Sequence, residues 1–328
     1  MNDLALVTGA TGFIGSYLVR DLVARGRPVR ILARRPELLG TALLNRVEVH
    51  RGDVRDAVAL TRAVQGARTV LHLAACARAW SRDPLEFAAV NVCAVATLLE
   101  AAYDAGVERL VHVSTLLTLP PHARAPVGGA ARRPTPYEES KLAGEQLVES
   151  YAAKGRYAVV VHPTRVYGPG PLHDANALTK IIALYLTGRF RVRIADGDVL
   201  GNYVHAADVA TGIRLAAERG CAGSHYLLGG ENASFRKFLE LVEELTGVRR
   251  RVVALPRQVA LAVARAAVWW GRLGGTPPIT PGWVRVFLED RRVDVEPTRV
   301  ALEYRPRPLR QGLAETIAWL GERGRAAA

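Results

Sequence analysis

The segment Thr8–Gly15, Thr-Gly-Ala-Thr-Gly-Phe-Ile-Gly, constrains the fold of this 328-residue chain more than any other stretch. It follows a short apolar run and precedes ten residues whose apolar side chains recur at helical spacing. The glycines therefore stand where a strand turns into a helix, which is the context of a dinucleotide-binding turn. In such a turn Gly9 permits the tight bend, Gly12 lets a pyrophosphate approach the backbone, and Gly15 lets the helix pack closely. The free N–H groups of the helix N-terminus then face the phosphates.

Strand and helix patterns alternate through the first half of the chain. Strands are predicted at 28–33, 46–50, 69–75, 109–115 and 157–161, and helices at 57–64, 84–105 and 137–153. This alternation predicts an α/β fold of the Rossmann type, a doubly wound parallel sheet with helices on both faces.

Beyond Gly170 the alternation loosens, and the pattern predicts a smaller, mostly helical C-terminal substrate lobe. We place the dinucleotide-binding domain at 1–167, with a return segment at about 199–217, and the substrate-binding lobe at 168–328. The lobe contains Val252–Leu273, which is strongly apolar but carries three arginines. We interpret this segment as a wall of an apolar substrate pocket, the alternative being an amphipathic helix on a membrane surface. We expect no membrane contact.

The chain is strongly basic, with a formal net charge of +13 and a pI near 10.2. Such a charge can indicate an acidic partner such as nucleic acid. Only four of the 44 basic residues are lysines, however, and the 40 arginines are spread out, a composition typical of a GC-rich genome. We therefore expect no nucleic-acid partner.

Several observations predict a cytoplasmic protein without a metal. No apolar run of about 18 residues lacks a charge, and the first strand begins too early to leave room for a signal peptide. The cysteines are Cys76, Cys93 and Cys221. Their scatter indicates buried thiols in a reducing compartment.

The eight histidines show no metal-ligand spacing, and His72, His112 and His162 fall on predicted strands, which favours core positions.

Tyr137 and Lys141 are the first candidate catalytic residues. Their spacing of four puts the phenol and the ammonium on one face of a predicted helix. A neighbouring ammonium favours the phenolate and lowers the pKa of a tyrosine from about 10. A tyrosine tuned in this way can exchange a proton with a carbonyl or alcohol oxygen. The lysine can also hold a ribose hydroxyl.

Ser114 and Thr115 end the predicted fifth strand, where ligand sites of open α/β sheets lie. A hydroxyl here can hydrogen-bond the substrate oxygen that Tyr137 serves. For one of the two, capping of the following turn is the alternative.

The end of the second strand bears on the cofactor. In folds specific for NAD an acidic residue there binds the ribose 2′-hydroxyl, whereas an arginine accommodates the 2′-phosphate of NADP. This chain has Arg34 and Arg35 and no acid. We predict NADP(H) as the preferred cofactor, with NAD(H) as the alternative, and note that Arg34 can also be an ordinary surface residue.

Taken together, these motifs resemble those of the extended short-chain dehydrogenases/reductases, the NAD(P)-dependent epimerase/dehydratase family, over nearly the whole chain. Further matching segments are 52–54, 72–75, 163–170, 203–208 and 304–306. The resemblance implies that Thr115, Tyr137 and Lys141 are catalytic. It implies cofactor contacts at Gly9, Thr11, Gly12, Phe13, Ile14, Gly15, Arg34, Asp53, Val54, Leu73, Ala74, Ala75, Tyr137, Lys141, Pro163, Arg165 and Val166.

Within this family, nucleotide-sugar enzymes commonly carry an arginine just before the Tyr-Val-His motif, where this chain has Gly201 and Asn202. The chain looks more like the dihydroflavonol-reductase and 3β-hydroxysteroid-dehydrogenase-like branch, and hopanoid-associated sugar epimerases are also similar. The expected function is NADP(H)-dependent interconversion of a ketone or aldehyde and an alcohol on a fairly hydrophobic small molecule. The alternatives are a sugar or nucleotide-sugar epimerase/dehydratase that retains its cofactor, and a non-catalytic NADP-binding sensor.

Two further segments bear on partners. The predicted helix at 84–105 is apolar almost all round, which predicts a homodimer formed through 84–105 and 137–153 or, alternatively, a deeply buried helix. The Pro/Gly/Arg-rich loop at 116–136 is long enough to be functional or mobile. Its Arg124, Arg132 and Arg133 are either solvated or able to meet an acidic substrate.

Overall fold

A computed structural model describes residues 3–78, 80–120, 134–172, 174–194 and 199–326 of the chain. The predicted loop at 116–136, with Arg124, Arg132 and Arg133, lies largely outside the described residues.

The described strands form three sheets. The strands are β1 (Ala5–Thr8), β2 (Val29–Ala33), β3 (Glu48–Arg51), β4 (Thr69–His72), β5 (Arg109–Val113), β6 (Ala158–Pro163), β7 (Arg165–Tyr167), β8 (Val192–Ile194), β9 (Leu200–His205), β10 (His225–Leu228), β11 (Glu231–Ser234) and β12 (Val253–Leu255). The main sheet has seven strands in the order β10-β6-β5-β4-β1-β2-β3, and every pairing in it is parallel. A three-stranded sheet, β11-β9-β7, and a two-stranded sheet, β12-β8, complete the set. The predicted Rossmann-type sheet is confirmed.

Helices surround the main sheet and build the second lobe. They are α1 (Phe13–Ala24), α2 (Thr41–Leu44), α3 (Ala57–Val64), α4 (Leu85–Ala88), α5 (Ala94–Asp104), α6 (Pro136–Ala153), α7 (Ala177–Leu186), α8 (Ala206–Arg219), α9 (Phe235–Thr246), α10 (Arg257–Arg272), α11 (Pro281–Phe287), α12 (Glu296–Leu302) and α13 (Leu309–Ala326). A π-helical turn, Ala89–Cys93, joins α4 to α5.

The main sheet is buried on both faces, as its apolar sequence requires. All residues of β1, β4 and β6 are buried, which is the pattern of parallel strands covered by helices on both sides. One face packs with apolar residues of α1 and α8, and the other with those of α3, α5 and α6. Packing on both faces therefore fixes the positions of the central strands, and with them the residues that follow their carboxyl ends.

The carboxyl ends of four central strands meet at one edge of the sheet. Thr8 is in register with His72, and His72 with His112. Val113 is in turn in register with Val161. The glycine turn, the Leu73–Ala75 segment and Ser114–Thr115 consequently come together, although they are far apart in sequence.

The second half of the chain returns to the main sheet over a longer stretch than 199–217. Helix α8 packs on α1, and β10 extends the sheet by pairing with β6. Tyr226 and Leu228 of β10 are buried, so this edge strand belongs to the main sheet although it lies beyond 199–217. The domain bounds proposed from the sequence remain predictions.

The helical stretch Leu85–Asp104 lies between α3 and α6. Among the described residues it is the one stretch long and apolar enough to cross a membrane by length and composition, and 44% of its apolar window is buried. Its contacts with α3 and α6 identify it as a core helix of the nucleotide-binding fold.

The cysteines are free thiols, as predicted, but not all of them are buried. Cys76 is buried, whereas Cys93 and Cys221 are exposed. The expectation of buried thiols is wrong for these two, because Cys93 lies on the exposed side of the π-helical turn and Cys221 lies in the connection between α8 and β10.

Candidate active site

The glycine turn is shaped to receive a phosphate group. Gly9 has a φ of +69°, and a Cβ added to it would lie 2.6 Å from the Ala74 backbone nitrogen. A Cβ at Gly15 would lie 2.1 Å from the Gly9 oxygen, so α1 packs directly on the turn. Gly12 begins α1 with no side-chain cap, which leaves N–H groups of the first turn for an anion. The three roles predicted for these glycines agree with this geometry.

A cleft of about 450 Å³ runs from this turn along the ends of β2, β3 and β4. The predicted cofactor residues that line it are Gly9, Thr11, Gly12, Arg34, Asp53, Val54, Leu73, Ala74 and Ala75. Arg34 is largely exposed and lies 3.6 Å from the Asp53 carboxylate. The carboxylate has a lowered pKa, mainly because Arg55 donates hydrogen bonds to it. The residues present therefore fit the adenine half of a dinucleotide.

Other predicted cofactor residues lie outside this cleft. Phe13, Gly15 and Pro163 are buried, and Ile14 and Val166 pack against the same core. The Arg165 guanidinium points into the second lobe, where it donates a hydrogen bond of 3.2 Å to the Tyr203 hydroxyl. It also lies 5.2 Å from the Phe287 ring centroid.

The Thr115 side chain lies within reach of the Tyr137 hydroxyl and acts to lower the pKa of the phenol. Thr115 follows β5 and also caps the next turn, accepting a hydrogen bond of 3.3 Å from the Leu117 backbone. Tyr137 lies in the first turn of α6, which a capping box between Thr135 and Glu138 fixes in place. The two hydroxyls thus meet where the strand end and the helix start converge.

Lys141 does not lower the pKa of Tyr137 in this structure as the sequence led us to expect. Burial raises that pKa to about 12 and outweighs the hydrogen bond with Thr115. Lys141 Nζ instead donates to the Val113 carbonyl at 2.8 Å and lies 3.3 Å from His112 Nε2. Burial lowers the pKa of Lys141 itself to about 8. The ammonium of Lys141 is therefore held by groups of β5 and not by the phenol, although both residues belong to the same helix.

Ser114 points away from Tyr137 and begins a buried polar chain. Its hydroxyl donates a short hydrogen bond to Glu145, whose carboxylate lies 3.8 Å from His162 Nδ1. His162 Nε2 is 2.9 Å from His225 Nδ1, and His225 Nε2 is 3.1 Å from Glu149 at the surface. Of the two candidate hydroxyls, the geometry therefore favours Thr115. Ser114 positions Glu145, a contact that the sequence did not reveal.

Glu145, His162 and His225 bring potential metal ligands within 4.8 Å of one another. The two nitrogens of His162 nevertheless face opposite ways, one toward the Thr115 carbonyl at 3.1 Å and the other toward His225. Burial lowers the pKa of His162 to about 4, so the ring is neutral and each nitrogen has a hydrogen-bonding partner. These contacts account for the cluster, and the absence of a metal stays a prediction.

Asn91 is a positioning residue that the sequence reading missed. It is buried in the π-helical turn, accepts a hydrogen bond from the Cys76 backbone at 2.8 Å and donates one to Ser140 Oγ at 2.9 Å. It therefore ties the end of β4 to α6, one residue before Lys141. The signal in the sequence is a polar residue in the middle of the otherwise apolar run 87–96.

The fold and this site define an NAD(P)-binding enzyme of the short-chain dehydrogenase/reductase type. The family described as NAD dependent epimerase/dehydratase matches residues 5–229, and the chain belongs to this family. The resemblance found in the sequence is confirmed.

Relatives in the family include both reductases and sugar-nucleotide enzymes. The sterol demethylase protein B of Methylococcus capsulatus is 30% identical, and the alignment covers 97% of this chain and 98% of the relative. The 4-hydroxy-2-methyl-3-oxo-4-farnesyl-3,4-dihydroquinoline-1-oxide ketoreductase of Stigmatella aurantiaca is 34% identical over 79% of this chain and 78% of the relative. The structure of MoeE5 in complex with UDP-glucuronic acid and NAD is similar with a TM-score of 0.76 and 30% identity, covering 97% of this chain and 99% of MoeE5.

Proposed function

We propose that this protein is an NADP(H)-dependent oxidoreductase that interconverts a ketone or aldehyde and an alcohol on a fairly hydrophobic small molecule. The observation that carries the proposal is the proximity of the Thr115 and Tyr137 hydroxyls just after β5, the strand next to β4, whose following residues Leu73–Ala75 line the cleft.

The cofactor, when bound, supplies or accepts the hydride, and the chain's own residues handle the oxygen of the substrate. Tyr137 donates a proton to that oxygen in reduction and removes it in oxidation. Thr115 holds the same oxygen by a hydrogen bond that strengthens as charge develops there. Lys141, a buried ammonium one helical turn beyond Tyr137, holds the ribose.

The hydrophobic substrate class rests on two observations. The second lobe presents the apolar helix α11 beside the start of α6, where a Cβ at Gly282 would lie 2.5 Å from Thr135, and two relatives are named for acting on a sterol and a farnesylated quinoline. Asn202 stands where nucleotide-sugar enzymes commonly carry an arginine. It is fully buried, accepts hydrogen bonds of 2.8 Å from Thr164 and the Gly230 backbone, and so serves the fold instead of a diphosphate.

The preference for NADP(H) rests on Arg34. Its exposed guanidinium at the mouth of the cleft can reach a 2′-phosphate, and the end of β2 has no acidic side chain that would repel one. We expect Arg34→Ala to weaken NADPH binding by about tenfold or more, in the range of a charge-assisted hydrogen bond. NADH binding should change little, as measured by fluorescence titration of both nucleotides. Equal losses for the two would refute the assignment.

The test of the reaction is Tyr137→Phe, assayed by the loss of reduced-nicotinamide absorbance with a panel of hydrophobic ketones. We expect kcat to fall by about 10²- to 10⁴-fold, because the phenol is the acid, while the affinity for NADPH stays within about twofold. Near-wild-type turnover would overturn the mechanism.

A retained-cofactor epimerase or dehydratase is the second candidate, favoured by the likeness to MoeE5 with its UDP-sugar and NAD. Such an enzyme consumes no NADPH in the steady state. Stoichiometric NADPH oxidation with a carbonyl substrate distinguishes the two, and tight NADP binding without turnover of any substrate would favour a sensor.

A further inference from the structure

Helix α10 and the residue after it expose a continuous apolar stripe. Its large side chains are Val259, Val263, Trp269, Trp270 and Leu273, with exposed fractions of 44%, 53%, 65%, 53% and 67%. Val259, Val263, Trp270 and Leu273 follow one another at spacings of four, seven and three residues. These spacings place their side chains on one face of the helix. Contiguous exposed apolar surface of this kind marks an interaction site.

The side of α10 that packs on the protein is made of small residues. Ala260, Ala264 and Gly271 are buried, and a Cβ at Gly271 would lie 2.8 Å from Pro277. The two tryptophans therefore have no place in the core on this face. A wall of an internal pocket, which the sequence led us to expect, would turn its large apolar side chains inward, whereas α10 turns them outward.

The surroundings of the stripe are exclusively basic in sequence. Residues 249–288 contain seven arginines and no lysine, aspartate or glutamate, so they carry +7 of the net charge of +13. Arg257, Arg265 and Arg272 belong to α10 itself and are exposed. An apolar stripe with tryptophans and flanking arginines matches the chemistry of an anionic lipid surface.

In place of the sequence expectation of no membrane contact, we propose that the apolar stripe of α10 docks the protein on the surface of an anionic lipid bilayer. The tryptophans enter the boundary between headgroups and acyl chains, and the arginines pair with lipid phosphates. A second copy of this chain is a poorer occupant, because a symmetric pairing through α10 would bring the exposed Arg257, Arg265 and Arg272 of two copies together.

The segment that follows the stripe contacts two elements that flank the candidate active site. Arg82, on the loop after β4, donates a hydrogen bond of 3.0 Å to the Gly274 carbonyl just beyond α10. A Cβ at Gly282, in α11, would lie 2.5 Å from Thr135, the cap of the helix that carries Tyr137. Docking through α10 would therefore bring the start of α6, which carries Tyr137, near the bilayer, where a hydrophobic substrate resides. This last step rests on the proposed function, whereas the docking does not.

The test is co-sedimentation of the full chain with sucrose-loaded vesicles. One set contains equal parts of phosphatidylglycerol and phosphatidylcholine, and the other contains phosphatidylcholine alone. We expect binding to the anionic vesicles at low salt, weakening at high salt, and a blue shift of tryptophan fluorescence on binding.

Two variants and their matched controls locate the surface. W269S/W270S and R257Q/R265Q/R272Q should each lower the vesicle partition coefficient by about tenfold or more. V58S/V300S removes comparably exposed apolar side chains elsewhere, and R25Q/R51Q/R310Q removes the same charge from other exposed sites. Both controls should bind as the wild type does.

The outcomes decide the proposal independently of the enzyme's chemistry. No binding to either kind of vesicle would overturn it, as would equal losses in the variants and their controls. Self-association of the wild type that W269S/W270S abolishes, without vesicle binding, would assign the face to a second copy. Turnover of a short water-soluble ketone should be unchanged in W269S/W270S, because no residue of α10 belongs to the reacting groups.

Discussion

At the scale of single residues, the protonation state of the Tyr137 hydroxyl decides whether the site can act as an acid or as a base. With a pKa of about 12 it is protonated throughout the physiological range, which is the form that donates a proton to a carbonyl oxygen. The site is thus prepared as an acid.

Thr115 offers a direct test of this arrangement. Thr115→Val removes the hydroxyl bonded to Tyr137, so the pKa of Tyr137 should rise further and the substrate oxygen should lose a partner. We expect kcat to fall by about 10²-fold, the effect of losing one donor to a developing charge. Thr115→Ser keeps the hydroxyl and should restore most of the activity. Equal activity of the Val and Ser variants would contradict the role of Thr115.

Glu145 controls the charge of Lys141. Its carboxylate raises the pKa of Lys141 against the lowering effect of burial. Glu145→Gln keeps an acceptor for Ser114 but removes the negative charge, so Lys141 should lose its proton at a lower pH. If Lys141 holds the ribose, NADPH affinity should decline at a lower pH in the variant than in the wild type. Titrations of NADPH between about pH 7 and 9 measure this, and superimposable profiles would contradict it.

At the scale of secondary-structure elements, most of the nucleotide-binding half could be predicted. The predicted helix at 57–64 coincides with α3, and the predicted strands lie within a few residues of β2, β3, β5 and β6. The prediction of these elements succeeds because the apolar periodicity of buried strands and amphipathic helices is a property of short stretches of sequence. The last three residues predicted for the fourth strand instead form part of the cleft, because β4 ends at His72.

The polar contacts behind the site could not be predicted in the same way. Asn91 and Ser140 are 49 positions apart, and His162 and His225 are 63 apart, so only the tertiary fold brings them together. The spacing of Tyr137 and Lys141 placed both on one helix face but could not show that β5 offers the ammonium a carbonyl at 2.8 Å.

The close approach of α6 to the π-helical turn is a testable property of the two elements. A Cβ at Gly144 would lie 2.4 Å from the Asn91 carbonyl oxygen, so Gly144→Ala must push α6 away from the turn. We expect a loss of stability of about 1–3 kcal/mol, the usual cost of overpacking, and a drop in kcat because Lys141 moves with the helix.

Gly321→Ala is the matched control for that change. Gly321 lies in α13 with nothing near the position of an added Cβ, so alanine should stabilise the protein by up to about 1 kcal/mol. Chemical denaturation measures both variants. A Gly144→Ala protein as stable as the wild type would show that the two elements are not in close contact.

At the scale of the whole molecule, two surfaces remain for partners. The homodimer predicted through 84–105 and 137–153 stays a proposal, and the exposed Leu85 and Leu142 are the apolar side chains it would cover. The stripe on α10 belongs to a different helix. Dimer formation through α5 and α6 and lipid docking through α10 are therefore compatible.

The buried histidines should make the stability of the whole fold sensitive to acid. Burial lowers the pKa of His72 to about 3 and those of His162 and His205 to about 4. Below about pH 6.5, the ordinary pKa of histidine, the unfolded chain binds protons that the native state does not bind. The free energy of unfolding therefore falls as the pH falls. The loss continues until the native histidines titrate near pH 4 and 3.

A variant of His162 measures the contribution of one histidine to the pH dependence of the free energy of unfolding. The groups that face it are Glu145, His225 and the Thr115 carbonyl, and His162→Gln removes the titrating ring. Between pH 6 and 4.5 we expect the variant's free energy of unfolding to decline less steeply than the wild type's, by up to about 1.4 kcal/mol per pH unit. Thr179→Val, which removes a buried hydroxyl bonded to Gly168, should lower stability without changing the slope. Urea denaturation at several pH values gives the slopes. Parallel lines for the wild type and His162→Gln would mean that His162 takes up its proton equally in the native and unfolded chains.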